Sequence, residues 1–272
     1  MAMTADKGPT QVLGNAPLTY PATVNKIAAV TLSFWIAKVI ATTLGETAGD
    51  FVAQTLGLGY VVGTVVTGAL LVVVLFAQVR SNTYHPVLFW AAIVGTTTAG
   101  TEISDMMDRT FGFGYVAGSC VLLGGLVLTL TAWHLRKGTL SVDSIADKES
   151  EVLFWVAVTF SNSLGTAFGD ALVDPIGMSF VQGALVCLGV IAVVLLLHYF
   201  TRINGVFLFW AAFIFTRPFG ATFGNFLTKE HARGGLELGT LETSLVAAAL
   251  LVAVMFVSSR FQGAKRTDPS SA

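Results

Sequence analysis

The sequence predicts an all-α membrane protein with eight transmembrane helices, and three observations support this prediction. Of the 272 residues, 54% are hydrophobic and only 11% are charged, whereas soluble domains carry about 25% charged residues. Long apolar runs recur along the chain, and each is long enough to cross a hydrocarbon core of about 30 Å as a helix. Phe-Trp pairs also recur at regular distances, which indicates internal repeats.

Eight apolar runs predict the eight helices in chain order. They cover approximately 27-46, 58-79, 86-104, 114-135, 151-170, 177-200, 204-223 and 240-259. Membrane-barrel strands alternate in polarity over about ten residues, so these longer runs do not fit a barrel. The first run carries Lys38 and has no small-residue cleavage site. We therefore expect a retained helix there rather than a signal peptide.

Four Phe-Trp pairs mark four copies of a two-helix unit. Their tryptophans are spaced by 55, 65 and 55 residues and are Trp35, Trp90, Trp155 and Trp210. The tenth residue after each Trp is a glycine: Gly45, Gly100, Gly165 and Gly220. The fourteenth is also small: Gly49, Ser104, Gly169 and Gly224. A four-residue spacing of small residues lets helix backbones approach closely, so we interpret these residues as packing positions.

The repeats set the predicted domain boundaries. An N-terminal tail covers 1-26, the repeats cover 27-80, 81-136, 151-201 and 202-260, a charged linker covers 137-150, and a C-terminal tail covers 261-272. Two helices per repeat give all copies the same orientation in the membrane, and we expect them to form either a ring or two pseudo-symmetric halves.

The distribution of basic residues predicts the orientation. Ten of the thirteen Lys and Arg residues in loops and tails lie on the side that holds both termini, and the opposite side has Arg109, Lys229 and Arg233. The positive-inside rule therefore predicts that both termini are cytoplasmic and that the protein is a multi-pass protein of the cell membrane. A net charge of -1 leaves no basic surface for nucleic acid.

Acidic residues near the ends of the odd-numbered spans are the strongest functional signal. The fifteenth residue after each Trp is Asp50, Asp105, Asp170 and, in the fourth copy, Asn225. Glu46 and Glu102 lie deeper in the same spans. Ionised carboxylates near hydrocarbon cost several kcal/mol unless they are paired, hydrated or neutralised. We therefore predict an ion or proton site built from Glu46, Asp50, Glu102, Asp105 and Asp170; the alternative is an interfacial or helix-end role.

Two cations, Lys38 and Arg217, lie inside predicted spans. Each must snorkel to water or find a carboxylate, and Arg217 is too central to snorkel easily. We expect Arg217 either to neutralise part of the acidic cluster or to lock helices together. The repeat tryptophans are expected to form an aromatic belt at the membrane interface. Neither Cys nor His occurs at metal-ligand spacing, and no phosphate loop or nucleophile elbow occurs, so we expect no cofactor and no enzyme activity.

Three segments carry a resemblance to a known family. They are Gly-Glu-Thr-Ala-Gly-Asp at 45-50, His-Pro-Val-Leu-Phe-Trp at 85-90 and Thr-Arg-Pro-Phe-Gly-Ala at 216-221. The chain resembles, over about residues 25-260, a family of bacterial membrane proteins with four tandem two-helix repeats, each containing a tryptophan. That family is named as a repeat of unknown function. The resemblance implies a bacterial inner-membrane protein and supplies no substrate.

Two functional hypotheses follow. The first is a secondary transporter or exporter of a hard divalent cation, because carboxylates, hydroxyls and backbone carbonyls favour Mn²⁺, Mg²⁺ or Ca²⁺ over Cu or Zn. Among these, Mn²⁺ is the preferred candidate. The second is a noncatalytic structural or partner-docking membrane protein whose charged residues pack helices. The expected partners are the lipid bilayer and a small inorganic cation, and the oligomeric state does not follow from the sequence.

Overall fold

The computed structural model describes residues 25–142, 145 and 147–266, with side chains described as far as residue 260. In this part of the chain all regular structure is helical, with eight long helices and no strand. The predicted N-terminal tail, apart from Asn25 and Lys26, lies outside the described residues. So do residues 267–272 of the predicted C-terminal tail, whereas residues 261–266 continue the last helix.

The eight helices follow the predicted apolar runs. They are α1 (Leu32–Asp50), α2 (Gly59–Arg80), α3 (Pro86–Asp105), α4 (Gly114–Lys137), α5 (Lys148–Val173), α6 (Phe180–Phe200), α7 (Gly205–Thr228) and α8 (Thr240–Arg266). The helix α1 begins later than predicted, because Thr31 caps it by accepting a hydrogen bond from the backbone N–H of Phe34 at 3.4 Å. The helix α7 continues beyond the predicted end at residue 223 and brings Asn225 into the helix.

Six of the helices are long and apolar enough to cross a membrane, namely α2 and α4 to α8. The helices α1 and α3 are not among them, since both combine threonines and glycines with charged residues. The protein is therefore a multi-pass membrane protein, and the crossing of the membrane by α1 and α3 stays a prediction.

The helices form an inner ring and an outer layer. In the inner ring α1 contacts α3, α3 contacts α5, α5 contacts α7, and α7 returns to α1. Each outer helix packs on the inner helix of the following repeat: α2 on α3, α4 on α5, α6 on α7 and α8 on α1. The repeats therefore occupy four similar positions around one axis. Of the two predicted arrangements this is the ring, because the α3–α5 contact across the linker resembles the other three contacts between inner helices.

Aromatic side chains fill the end of the ring at which the inner helices begin. Ring centroids lie 6.4 Å apart for Phe34 and Phe89, 5.7 Å for Phe89 and Trp155, and 6.2 Å for Phe154 and Trp210. The side chains of Trp90, Trp155 and Trp210 are buried. The expected interfacial belt is therefore wrong for these three tryptophans, whose side chains are buried within the bundle. The contacts also show that the inner helices are parallel.

The N-terminal segment and the linker pack against this aromatic end. Asn25 donates a side-chain hydrogen bond to the Val142 carbonyl at 3.1 Å, and Trp210 Nε1 donates to the Leu140 carbonyl at 3.2 Å. Asp147 caps α5 by accepting from the Ser150 backbone N–H at 3.0 Å. Partial burial alone would raise the pKa of Asp147, but hydrogen bonds from Ser150 and Lys137 outweigh it and lower the pKa. The described linker residues thus cover one end of the ring.

Candidate functional site

One buried stripe on each inner helix lies at residues three, seven, eleven and fifteen after the repeat tryptophan. Steps of four residues keep side chains on nearly the same face of a helix. The stripes are Lys38, Thr42, Glu46 and Asp50; Ile93, Thr97, Thr101 and Asp105; Val158, Asn162, Thr166 and Asp170; Phe213, Arg217, Ala221 and Asn225. All sixteen side chains are buried. We call these sixteen residues the central column.

Two contacts show that the central column lies on the axis of the ring. Lys38 Nζ of α1 donates to Asn162 Oδ1 of α5 at 3.2 Å. Arg217 Nη2 of α7 donates to Thr101 Oγ1 of α3 at 2.5 Å. Both contacts join helices on opposite sides of the ring, so these side chains cross the axis.

The predicted packing glycines let the inner helices come close enough for these contacts. A Cβ atom added at Gly45 would lie 2.9 Å from the Thr97 carbonyl carbon, and one added at Gly220 would lie 2.8 Å from that of Thr42. Gly100 lies against the backbone of Asn162 and Ser163 in the same way, and Gly165 lies against Arg217 and Pro218. The same holds one turn later for Gly49, Gly169 and Gly224. A Cβ atom added at each would lie 3.0 to 3.4 Å from the nearest side-chain atom of Thr101, Ala221 and Glu46, respectively.

Lys38 and Arg217 are both fully buried, and they differ in their partners. The Lys38 ammonium lies 4.1 Å from the centre of the Phe213 ring and bonds to Asn162. It neither snorkels nor reaches a carboxylate in the described part of the chain, so that expectation is wrong. A cation over an aromatic face gains about 2 kcal/mol when desolvated, which lowers the cost of burying Lys38.

Arg217 forms the ion pair at the centre of the column. Its Nη2 donates to Glu46 Oε2 at 3.0 Å, while Asn225 Nδ2 donates to Glu46 Oε1 at 2.9 Å. The fourth repeat therefore supplies a cation and an amide to the acid of the first repeat. Among the described residues, Arg217 Nε and Nη1 have no hydrogen-bond partner. The predicted neutralisation of an acid by Arg217 is present in this structure.

The aspartates of the column are paired with cations from the adjacent turns. Lys229 Nζ donates to Asp50 Oδ2 at 2.6 Å. Arg109 donates from Nε to Asp105 Oδ1 and from Nη2 to Asp170 Oδ2, both at 2.9 Å. The predicted outer-side cations are thus the partners of the predicted acids. Sequence reasoning had assigned them to loops and missed this role.

The partners lie on a further layer, nineteen residues after each tryptophan. This layer consists of Gln54, Arg109, Asp174 and Lys229, and we call it the rim. It is more exposed than the column, with Arg109 at 34% and Asp174 at 30% side-chain exposure. In the first two repeats the rim residue lies in a π-helical turn, Phe51–Thr55 or Met106–Thr110. Such turns occur frequently at functional sites. The four-residue step was a sequence signal that could have found the rim.

Glu102 does not join the central column. It lies twelve residues after its tryptophan, one residue beyond the column position held by Thr101. One residue turns a helix by about 100°, and Glu102 therefore contacts Gly63 of α2 instead. Both of its oxygens are buried and have no hydrogen-bond partner in the described chain. Of the five predicted site acids, the column thus contains Glu46, Asp50, Asp105 and Asp170.

The carboxylates of the column are organised in ion pairs. Within the described residues, no three His, Cys, Asp or Glu side chains are placed to hold a metal ion. Cationic side chains contact the column carboxylates: Arg217 contacts Glu46, Lys229 contacts Asp50, and Arg109 contacts Asp105 and Asp170.

A family model agrees with the fourfold organisation of the helices. The model, described as Repeat of Unknown Function (DUF347), matches residues 33–84, 88–139, 153–204 and 208–264. The chain belongs to this repeat family. The resemblance drawn from the sequence is therefore confirmed, and the bacterial origin that it implies stays a prediction. No curated protein and no solved structure matches the chain.

Each DUF347 repeat contains one inner helix and the outer helix that follows it. Every repeat therefore contributes one stripe to the central column, and each outer helix supports the next repeat's stripe. The four stripes differ in charge: the first carries both signs, the second and third carry Asp, and the fourth carries Arg217 with Asn225. The DUF347 repeats thus build one asymmetric column of side chains on the axis.

Proposed function

We propose that the protein is a secondary transporter that moves a hard divalent cation along the central column, with Mn²⁺ as the first candidate. In this proposal all eight helices cross the bacterial inner membrane, and both termini are cytoplasmic. The observation that carries the proposal is the Glu46–Arg217 ion pair at 3.0 Å, which is buried on the axis. From this pair, the aspartates of the central column lead to the more exposed rim. Intramembrane charges of this kind mark ion pathways by default.

Replacement of Lys and Arg side chains by the transported ion would explain why each carboxylate of the column has a cationic side chain beside it. A buried carboxylate without a counter-charge costs several kcal/mol, so an empty pathway needs substitutes for its cargo. Lys229 and Arg109 are partly exposed, at 18% and 34% of their side chains, and can swing from the column into water. An incoming cation then takes their place on Asp50, Asp105 and Asp170.

The oxygen-rich lining supports a hard ion as the cargo. Carboxylate, hydroxyl and carbonyl oxygens suit Mn²⁺, Mg²⁺ and Ca²⁺, whereas Cu and Zn favour sulfur and imidazole. The column contains Thr42, Thr97, Thr101 and Thr166 beside its acids, and it contains no Cys or His. Because no metal-binding group is preformed among the described residues, binding requires the rim cations to leave.

A structural role is the second candidate, and the same ion pairs favour it. Arg217 joins α7 to α1, and Arg109 joins α3 to α5. Each pair therefore also fastens neighbouring helices of the ring. In this case the charges hold the bundle together or support a partner-docking surface, and no cation moves.

Cellular metal content separates the two candidates. A deletion strain is complemented with the wild type, with Asp50→Asn or with Glu149→Gln, and its Mn²⁺, Mg²⁺ and Ca²⁺ contents are measured. Asp50→Asn is a clean probe, because its partner Lys229 can turn to water. Glu149→Gln makes the same kind of change in an exposed ion pair between the end of α4 and the start of α5 and is the matched control. Transport predicts that the wild type and the control restore one metal content and that Asp50→Asn does not. Equal metal contents in all strains would favour the structural role.

A further inference from the structure

Glu102 differs from the acids of the central column in having no counter-charge. Its side chain is 1% exposed, and both carboxylate oxygens are buried without a hydrogen-bond partner among the described residues. The column acids, in contrast, all contact Arg, Lys or Asn side chains. An ionised carboxylate in such a place is strongly unfavourable, because it loses its hydration and gains nothing in return.

In the described part of the chain, the cations near Glu102 are already bound to other acids. The helix α1 carries Glu46 and Asp50, which are bound to Arg217 and Lys229. The helix α2 presents Gly63 and Thr67, and the Thr67 hydroxyl donates to the Gly63 carbonyl at 2.8 Å rather than to Glu102. On α3 itself, Asp105 is bound to Arg109. On α5, Asp170 is bound to the same Arg109.

Packing does not require an acid at this position. The fourth repeat has Thr222 at the place of Glu102, and Thr222 packs over Gly183 as Glu102 packs over Gly63. The Thr222 hydroxyl is satisfied by the Pro218 carbonyl at 2.9 Å. A threonine therefore fills the position with no unpaired polar atom, whereas the larger Glu102 leaves two.

We propose that Glu102 binds a proton in the state described here and releases it to water when a divalent cation enters the column beside Glu46 and Asp50. The inference rests on the proposed transport function and identifies its coupling ion. Charge balance gives the reason. A divalent cation that replaces one Lys or Arg brings one extra positive charge, and ionisation of Glu102 cancels it. The transporter is then a proton–cation exchanger.

Carbodiimide labelling tests the proton site directly. The full-length protein in lipid vesicles is treated with a hydrophobic carbodiimide, which modifies protonated carboxyl groups, and the modified residues are mapped by mass spectrometry. We expect Glu102 to be modified at acidic pH, several-fold less at alkaline pH, and less again when Mn²⁺ is added. Glu151 is the matched control, because it is equally buried but bound to Lys26 and Gln78. Absence of labelling at Glu102, or labelling that does not change with pH, would overturn the inference.

The variant Glu102→Thr supplies a second readout. It installs the residue of the fourth repeat, so we expect normal folded yield and Mn²⁺ movement in vesicles that no longer responds to a proton gradient. A response equal to that of the wild type would overturn the coupling role. If Glu102 titrates but the vesicles move no Mn²⁺, the proton site stands and the transport proposal fails. If the vesicles move Mn²⁺ and Glu102 does not titrate, only the present inference fails.

Discussion

Arg217 and Glu46 depend on each other at the level of single residues. Arg217 is fully buried, and Glu46 is its carboxylate partner. Glu46→Gln keeps the volume and one hydrogen-bond acceptor, but it leaves a buried cation without a counter-charge. A change at Glu46 therefore affects folding as well as any ion pathway, and it is a poorer functional probe than a change at Asp50.

A double-mutant cycle on this pair has a definite expectation. Glu46→Gln alone should lower the free energy of unfolding by about 3–5 kcal/mol, as when one partner of a buried ion pair is removed. Adding Arg217→Met should recover most of that loss, since no buried charge then remains. Unfolding in detergent, followed by circular dichroism, measures both. A double variant less stable than Glu46→Gln would contradict the pairing.

The packing glycines give a second residue-level prediction. Gly45→Ala places a methyl group against the Thr97 side chain and backbone, and overpacking of this kind costs about 1–3 kcal/mol. Gly68 faces open space, so Gly68→Ala should be neutral or stabilise its helix by up to about 1 kcal/mol. Thermal unfolding of both variants provides the comparison. Equal midpoints would show that the inner helices do not approach as closely as described.

At the scale of helices, the sequence predicts where the helices lie and how their residues repeat better than it predicts which neighbouring helix each side chain contacts. Six of the apolar runs form helices that meet the criterion for spanning, and the recurring glycines mark the inner helices. Glu46 and Glu102 were predicted to belong to the same site, yet they differ by one register position and contact different neighbours. The neighbour of Glu102 is α2, which belongs to the preceding repeat. Such a contact depends on how repeats close into a ring, and no local pattern contains that information.

The turn after α3 supports a prediction about affinity. Arg109 holds Asp105 and Asp170 in this state, so Arg109→Gln should free both carboxylates for the cargo. We expect the Mn²⁺ concentration that gives half-maximal transport to fall several-fold, where tenfold corresponds to about 1.4 kcal/mol. Arg136→Gln, in an exposed pair at the other end of the bundle, is the control. A half-maximal concentration that rises or does not change would argue against competition between Arg109 and the cargo.

At the scale of the whole molecule, topology is open to direct measurement. Reporter fusions after Lys26, Lys137 and Arg260 should all report the cytoplasm, because most basic loop residues lie on that side. A fusion after Arg233, in the segment between α7 and α8, should report the opposite side. Two fusions of the first set on the outer side would reverse the orientation.

The sequence predicts the charged residues of the central column, but it does not predict the ion pairs that join different repeats. The acids, the two buried cations and the four repeats were predictable from residue types and spacing. The pairing of Asp50 with Lys229 and of Asp170 with Arg109 was not, because each of these pairs joins turns from different repeats.

Flux through purified protein tests the central claim most directly. The wild type, Asp50→Asn and Glu149→Gln are reconstituted into lipid vesicles, and Mn²⁺ entry is followed with a trapped metal-sensitive dye. Folded yield is measured for each preparation, so that loss of flux and loss of folding are distinguished. A pathway along the central column predicts saturable Mn²⁺ flux in the wild type and in Glu149→Gln, and at least tenfold less in well-folded Asp50→Asn. Flux in Asp50→Asn equal to that of the wild type, or no flux of Mn²⁺, Mg²⁺ or Ca²⁺ through any folded preparation, would contradict it.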